Sequence, residues 1–209
     1  RRHACAAEVR LNRRLAPELY LDVVAITGTP DAPRVGGDGA PIEYAVRMRR
    51  FDRTQELDRL LAAGALPPER IDELAHTVAR FHAAAPAAAK DDPWGDPAAV
   101  LANALANFDH VRRLERAADV APRVDALRAW TRAEHGRVAP AMAARLAAGR
   151  VRECHGDLHL ANMVLHGGRV VVFDCIEFNP ALRWTDVMAE VAFTAMDLQK
   201  WNQLVAQGE

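Results

Sequence analysis

Lysine is nearly missing from these 209 residues: Lys90 and Lys200 stand against twenty-five arginines. Neither lies on a strand near the start of the chain, so the first strands supply no ammonium group. Cysteine is also scarce. Cys5, Cys154 and Cys175 are too few and too scattered for a disulfide framework, which suits a reducing compartment such as the cytoplasm. Cys154-His155 and His159 are close together, yet no second Cys pair completes a thiolate zinc site. There is no apolar run of about 18 residues and no signal-peptide pattern, so neither a membrane span nor export is expected. A formal charge of −1 removes any whole-chain electrostatic case for nucleic acid or an anionic membrane. Small-molecule partners are the expectation. No internal repeat or low-complexity tract is found. Residue 1 is Arg rather than Met, and both ends are abrupt, so the chain is expected to come from something longer.

What is present is apolar residue content of one half, enough for one domain of two lobes with a sizeable core. The informative stretch runs from Val151 to Phe178. Val151 to Cys154 reads as a strand end, and His155-Gly156-Asp157-Leu158-His159-Leu160-Ala161-Asn162 follows as a polar loop. Met163-Val164-Leu165, the turn signal His166-Gly167-Gly168 and the β-branched run Val170 to Phe173 then predict a tight hairpin. A two- or three-residue turn brings Asn162 within about two positions of Asp174 in any register. Asp157 lies just upstream of that open end. An acid, an amide and a second acid converging there suit a hard cation such as Mg²⁺, which takes one or two carboxylates plus substrate oxygens. Asp157 is left to face an acceptor, where a carboxylate can take a hydroxyl proton and aim the oxygen at a γ-phosphoryl group.

These residues resemble the catalytic loop and metal-binding acid of the aminoglycoside phosphotransferase and choline kinase branch of the protein-kinase-like superfamily. The likeness is greatest to bacterial domains often found fused to a P-loop kinase-like domain. It is carried also by Cys5 to Leu19 and by Phe173-Asp174-Cys175-Ile176-Glu177-Phe178-Asn179-Pro180-Ala181-Leu182-Arg183-Trp184. The resemblance implies an α+β, protein-kinase-like two-lobe fold. Residues 1–53 would be a partial amino-terminal lobe, a helix plus a strand hairpin and hinge. Residues 54–209 would be a truncated, mainly helical lobe carrying the catalytic hairpin. It implies Asp157 as catalytic base, Asn162 and Asp174 as Mg²⁺ ligands, His155 as a structural prop, and ATP in the cleft between the lobes.

Further roles follow from the same resemblance. Glu8, inside the helix expected over Arg1 to Leu15, stands where such kinases pair a helix glutamate with a strand lysine that holds phosphates. That lysine is expected upstream of Arg1. The bland reading of Glu8 is a solvated helix acid. Met48-Arg49-Arg50-Phe51 falls where the fold crosses between lobes and offers backbone groups to adenine; a basic linker is the alternative. An acid after the hairpin, Asp186 or Glu190, would brace the catalytic loop, although the family usually has Asp where Glu190 stands. Glu177 reads either as an acid at the metal or substrate mouth or as a capping carboxylate. His159 reads as a contact to phosphate or acceptor, or as packing.

Elsewhere, Leu19 to Ile26 and Ile42 to Met48 read as strands joined by the long loop Thr27 to Pro41. Gly36-Gly37-Asp38-Gly39 is a turn rather than a phosphate loop, lacking the full glycine spacing, a lysine and a following helix. Helices are expected over Gln55 to Ala63, from Pro67 to before Pro86 with His82 as a core histidine, and over Ala98 to Leu105. Val120 to Leu146 should place Val124, Leu127, Trp130, Val138, Met142 and Leu146 on one core-facing side, with a kink or break at Pro140. Trp184 to Leu198 should turn Val187, Val191 and Phe193 or Thr194 inward.

Two functions compete. One is transfer of the γ-phosphoryl of ATP, with Mg²⁺, to a hydroxyl of a small polar molecule. The other is a non-catalytic nucleotide-sensing module, which the missing strand lysine keeps open. A phosphatase with Asp174 as nucleophile is weaker, because such sites usually carry a second Asp two residues on and here that residue is Ile176.

Overall fold

The computed structural model describes residues 1–89, 91–114 and 117–207; Lys90 lies outside the described residues. In chain order the elements are α1 (Arg2–Asn12), β1 (Tyr20–Thr29), β2 (Ala32–Val35), β3 (Glu43–Met48), α2 (Leu57–Ala62), α3 (Pro68–Ala84), α4 (Pro97–Val111), α5 (Ala117–Ala147), β4 (Val151–Glu153), β5 (Met163–His166), β6 (Arg169–Val172), α6 (Pro180–Arg183), β7 (Trp184–Asp186) and α7 (Val187–Gln207). The fold is mixed α+β with small sheets. Two compact units form. One contains Arg1–Ala85, Cys154–Arg183 and Met188–Glu209; the other contains Pro86–Glu153 and Trp184–Val187.

In the first unit an antiparallel sheet has the order β2-β1-β3. The long loop expected over Thr27 to Pro41 therefore contains a strand, with Thr29 paired to Ala32 and Ile26 to Val35. Gly36 to Gly39 leads from that strand to β3, as a turn. Hairpin β5–β6 is antiparallel, with Met163 opposite Val172, Leu165 opposite Val170 and His166 opposite Arg169. Its two-residue turn is Gly167-Gly168, at φ 58° and 77°, the left-handed pair that matches the twist of the flanking strands.

The hairpin is apolar without alternation because both of its faces are covered. Met163, Val170 and Val172 pack with Leu57, Leu74, Val78, Leu158 and Leu160. Val164 and Val171 point the other way, onto Ala16, Leu19 and Tyr20, with Val46, Met48, Phe51 and Phe173 alongside. Each fully buried aliphatic side chain contributes about 1.5–3 kcal/mol, so two-faced burial makes this hairpin a rigid platform for the loop entering it.

The second unit is largely helical. Asp96 caps α4 by accepting from the N–H groups of Ala98 and Ala99 at 2.9 and 3.1 Å, and α4 packs on α5. Helix α5 is not broken at Pro140; both Pro122 and Pro140 lie inside it, each removing one intrahelical bond. The expected core-facing stripe is overturned in part. Val124 is buried, but Leu127 and Trp130 are 55% and 63% exposed. Strand β7 also replaces the start of the helix expected at Trp184. It pairs with β4, Val151 opposite Asp186 and Glu153 opposite Trp184. In the first unit, α7 turns Thr194 inward while Val191 and Phe193 are exposed. Among the described residues, no helix is long and apolar enough to cross a membrane.

Candidate active site

The loop from Cys154 to Asn162 is shaped by its own side chains before anything else touches it. Asn162 Nδ2 donates to the Asp157 carbonyl at 3.0 Å and to Asp157 Oδ2 at 3.2 Å. His159 Nε2 lies 3.3 Å from the same Oδ2. One carboxylate oxygen is thus committed to the loop. Gly156 sits at φ 91°, and a Cβ there would come within 3.0 Å of the Leu182 carbonyl and 3.1 Å of Arg183 Cα. Only glycine lets the loop pass so close to the segment after the hairpin.

His155 is buried and locked in one tautomer. Its Nδ1 accepts from the Asp157 N–H at 3.3 Å, so Nε2 carries the proton and donates to the Phe173 carbonyl at 2.9 Å. Burial holds its pKa below the ordinary 6.5, against the nearby Glu190 charge. A histidine depressed in the folded state contributes stability that is present above its unfolded pKa and lost as pH falls below it. Stability should therefore decline as pH drops below about 6.5, by at most about 1.4 kcal/mol per pH unit for this one proton. Urea melts of parent and His155→Gln at pH 7.5 and 5.0 check this: the gap between them should shrink at the lower pH, and a constant gap contradicts the assignment.

Helix α7 grips the loop from one face. Glu190 Oε1 accepts the N–H groups of His155 and Gly156 at 2.8 and 2.7 Å. Thr194 Oγ1 donates to the Leu158 carbonyl at 2.7 Å, and Asp197 Oδ2 accepts the Leu160 N–H at 2.8 Å. Positions 190, 194 and 197 follow helical spacing on one face, a polar stripe that could have been read in the sequence. Asp186, the other candidate brace, belongs to the second unit, where Arg145 engages both its oxygens at 2.6 and 2.7 Å.

At the open end of the hairpin the Phe173 N–H donates to the Asn162 carbonyl at 2.9 Å, which sets Asn162 one position from Asp174. Asp174 takes φ 64°, a left-handed conformation that Asp and Asn tolerate better than most residues. Its N–H donates to the Tyr20 hydroxyl at 3.2 Å, which burial keeps protonated well above its ordinary range. The next N–H, of Cys175, donates to Asn12 Oδ1 at 2.8 Å. Arg14 Nη2 reaches the Cys154 carbonyl at 3.0 Å and Cys175 Sγ at 3.3 Å. Burial pushes the Cys175 thiol up to about 11, making it a packing group rather than a nucleophile. The anchors Asn12, Arg14 and Tyr20 escaped the sequence reading because their partners lie 140 or more residues away.

The charges at this end are mostly negative. Asp174 is raised by burial, then by Glu177 and Asp157, with His159 opposing. Glu8 is raised by burial, then by Glu177 and Asp174; every charge that shifts it is negative. Glu8 is thus half-buried beside acids rather than a solvated helix residue. Glu177 adds its charge to this acidic mouth, while at the start of α6 Asn179 Oδ1 accepts the Ala181 N–H at 3.0 Å. Asp174 and Asn162 bring a carboxylate and an amide oxygen to the open end of the hairpin, amid an excess of negative charge, a chemistry that suits a hard divalent cation. A separate buried trio, His82, Cys154 and Glu190, has ligand atoms within 4.8 Å of one another. Both Glu190 oxygens there are already engaged by hydrogen bonds.

The crossing segment forms the third part of the first unit's candidate site. Met48 to Thr54 lines an open cavity of about 820 Å³, and Phe51 packs on Phe173 with ring centroids 5.0 Å apart. The Arg49 N–H is not offered to it, since it donates to the Leu19 carbonyl at 2.8 Å. The Arg49 side chain turns to the Glu18 carbonyl at 3.3 Å.

An uncharacterised protein of Mycobacterium bovis and its counterparts in two Mycobacterium tuberculosis strains are each 33% identical over 206 residues, covering 95% of this chain. The chain spans 38% of the length of these relatives. No solved structure matches. The profile of the phosphotransferase enzyme family matches residues 2–206, and with the loop and hairpin described above the chain belongs to that family, within the protein-kinase-like superfamily.

Proposed function

We propose that this chain carries the catalytic part of an ATP- and Mg²⁺-dependent phosphotransferase that moves the γ-phosphoryl group to a hydroxyl of a small polar molecule. The observation that carries the reading is the state of Asp157. Oδ2 is held by Asn162 and His159, and Oδ1 would take the proton, near the oxygens of Asp174 and Asn162. Asp157 accepts the acceptor's hydroxyl proton while that oxygen bonds to the γ-phosphorus and the bond to the β-phosphate oxygen breaks, releasing ADP. Mg²⁺, when bound, neutralises phosphate charge. Asp174 and Asn162 would hold it, Met48 to Thr54 would face the adenine, and Glu8 awaits a cationic partner. Residues 1–53 would serve as the partial amino-terminal lobe and 54–209 as the helical lobe, in a cytoplasmic protein that also carries a P-loop kinase-like domain. His159 and Glu177 would line the place where an acceptor enters.

Thermal shift of the full-length protein with Mg²⁺ and ATP, beside its Asp174→Asn variant, tests this. Ligand at a hundredfold excess over its dissociation constant stabilises the folded state by about 2.7 kcal/mol. A shift is expected in the parent and not in the variant. Asparagine keeps the left-handed backbone, and because Asp174 is raised by neighbouring acids, the variant without ligand should melt slightly higher, by up to about 2 °C for a half-exposed charge. A shift in neither protein would favour a module without nucleotide binding; equal shifts in both would remove Asp174 from the metal site.

A further inference from the structure

A second cavity of the first unit is not used by the chemistry above. It lies between α1 and the segment that follows Asp174, with a volume of about 490 Å³, inside the roughly 300–1,000 Å³ of small-molecule sites. Its floor is apolar. Ala4 and Ala7 leave the α1 side hollow, and Phe178 and Pro180 close the other side. Phe178 is 72% exposed, an aromatic surface that an occupant would cover. The wall also carries charge: Arg10 and Arg183 bring two guanidinium groups and Glu177 one carboxylate, which leaves one net positive charge with His3 counted as neutral. Arg183 is itself buried, and its Nη1 donates to the Ile176 and Glu177 carbonyls at 3.4 Å, so its fork is held in place before any ligand arrives. We propose that this cavity is an effector site for a small organic monoanion, with the acidic group against the guanidinium side and an apolar body against Phe178 and the two alanines.

Both walls of the cavity are tied to the backbone of the candidate site. From α1, Asn12 Oδ1 accepts the Cys175 N–H at 2.8 Å, at the residue after Asp174. From α6, the Arg183 carbonyl accepts the Cys154 N–H at 2.8 Å, and Leu182 and Arg183 are the backbone against which Gly156 packs. A ligand wedged between α1 and α6 binds best to the arrangement in which it touches both, and that difference in affinity is what it can contribute to holding them there. Occupancy therefore steadies the Cys154 and Cys175 amides on either side of the site, and by reciprocity whatever orders those amides tightens the ligand.

The test uses no turnover, so its outcome is separate from that of the phosphotransferase reading. The full-length protein would be titrated, by fluorescence, with anilinonaphthalene sulfonate, an aromatic monoanion, and with phenylnaphthylamine, its uncharged counterpart. Saturable binding of the sulfonate by the parent is expected. Arg10→Gln, at an exposed position, should weaken the sulfonate about tenfold, the loss of one charge-assisted hydrogen bond, and leave the amine within about twofold. Ala7→Phe, which fills the hollow, should weaken both probes at least about tenfold. With the sulfonate at about ten times its dissociation constant, hydrogen exchange at the Cys154 and Cys175 amides should slow about tenfold in the parent and not in Ala7→Phe. Should Ala7→Phe not fold, Ala7→Leu replaces it, and Arg10→Gln still separates charge from apolar contact. No binding by the parent, or binding that both substitutions leave unchanged, would overturn the proposal. Equal loss of the two probes in Arg10→Gln would overturn the choice of an anion, and unchanged exchange at the two amides would overturn the role as an effector site.

Discussion

Asp157→Ala is expected to lower phosphoryl transfer by about 10²–10⁴-fold, the range for loss of a general base, while binding of Mg·ATP stays within about twofold of the parent. The separation follows from the site's layout. Asp157 spends Oδ2 on Asn162 and His159, whereas the proposed cation would be held by Asp174 and Asn162. Asp157→Asn is the stricter comparison, because it preserves shape and an acceptor for Asn162 but cannot take a proton at neutral pH. Single-turnover assays, with ATP affinity measured in parallel by thermal shift, distinguish the possibilities. Substantial turnover in both variants would take the base role away from Asp157. Loss of nucleotide affinity equal to the loss of rate would mean that its contribution is to binding.

The second large effect concerns stability rather than rate. Glu190→Ala removes the acceptor for two loop amides and the partner of His82 in one step, at a buried position. Stranding the partners of a buried, hydrogen-bonded charge typically costs about 3–5 kcal/mol, a large fraction of the roughly 5–15 kcal/mol that holds a domain folded. Glu190→Gln keeps an oxygen for the amides and presents its NH₂ toward His82, so it should lose about 1–3 kcal/mol. Urea denaturation at pH 7.5 measures both. A loss under about 1 kcal/mol for the alanine variant, the usual limit for a surface ion pair, would show that water replaces the carboxylate and that the loop stands without it.

Much of the site is legible in the sequence because its pieces are local. Asp157 and Asn162 are five residues apart, and the loop closes on itself through their hydrogen bonds. The hairpin turn is written in Gly167-Gly168, and its register follows from a two-residue turn, so Asn162 and Asp174 must meet whatever surrounds them. Other readings failed where a periodic pattern was taken to name its own cover. The spacing of Leu127 and Trp130 on α5 predicts a stripe, yet these side chains face outward; period specifies which residues share a face and not what that face meets. Likewise, Ala32–Val35 reads as part of a loop because its strand exists only through pairing with β1.

The sequence by itself thus determined which groups meet at the hairpin mouth: two carboxylates and an amide, with a glycine where the chain must turn tightly. Only the tertiary structure decided what holds those groups still. Glu190 rather than Asp186 braces the loop, because Arg145 captures Asp186 in the other unit. Asn12, Arg14 and Tyr20 fix the backbone around Asp174 and Cys175, and His82 meets Glu190 across 108 positions of sequence. A hydrogen bond between residues so far apart is set by how helices and strands pack, and no local spacing encodes that distance.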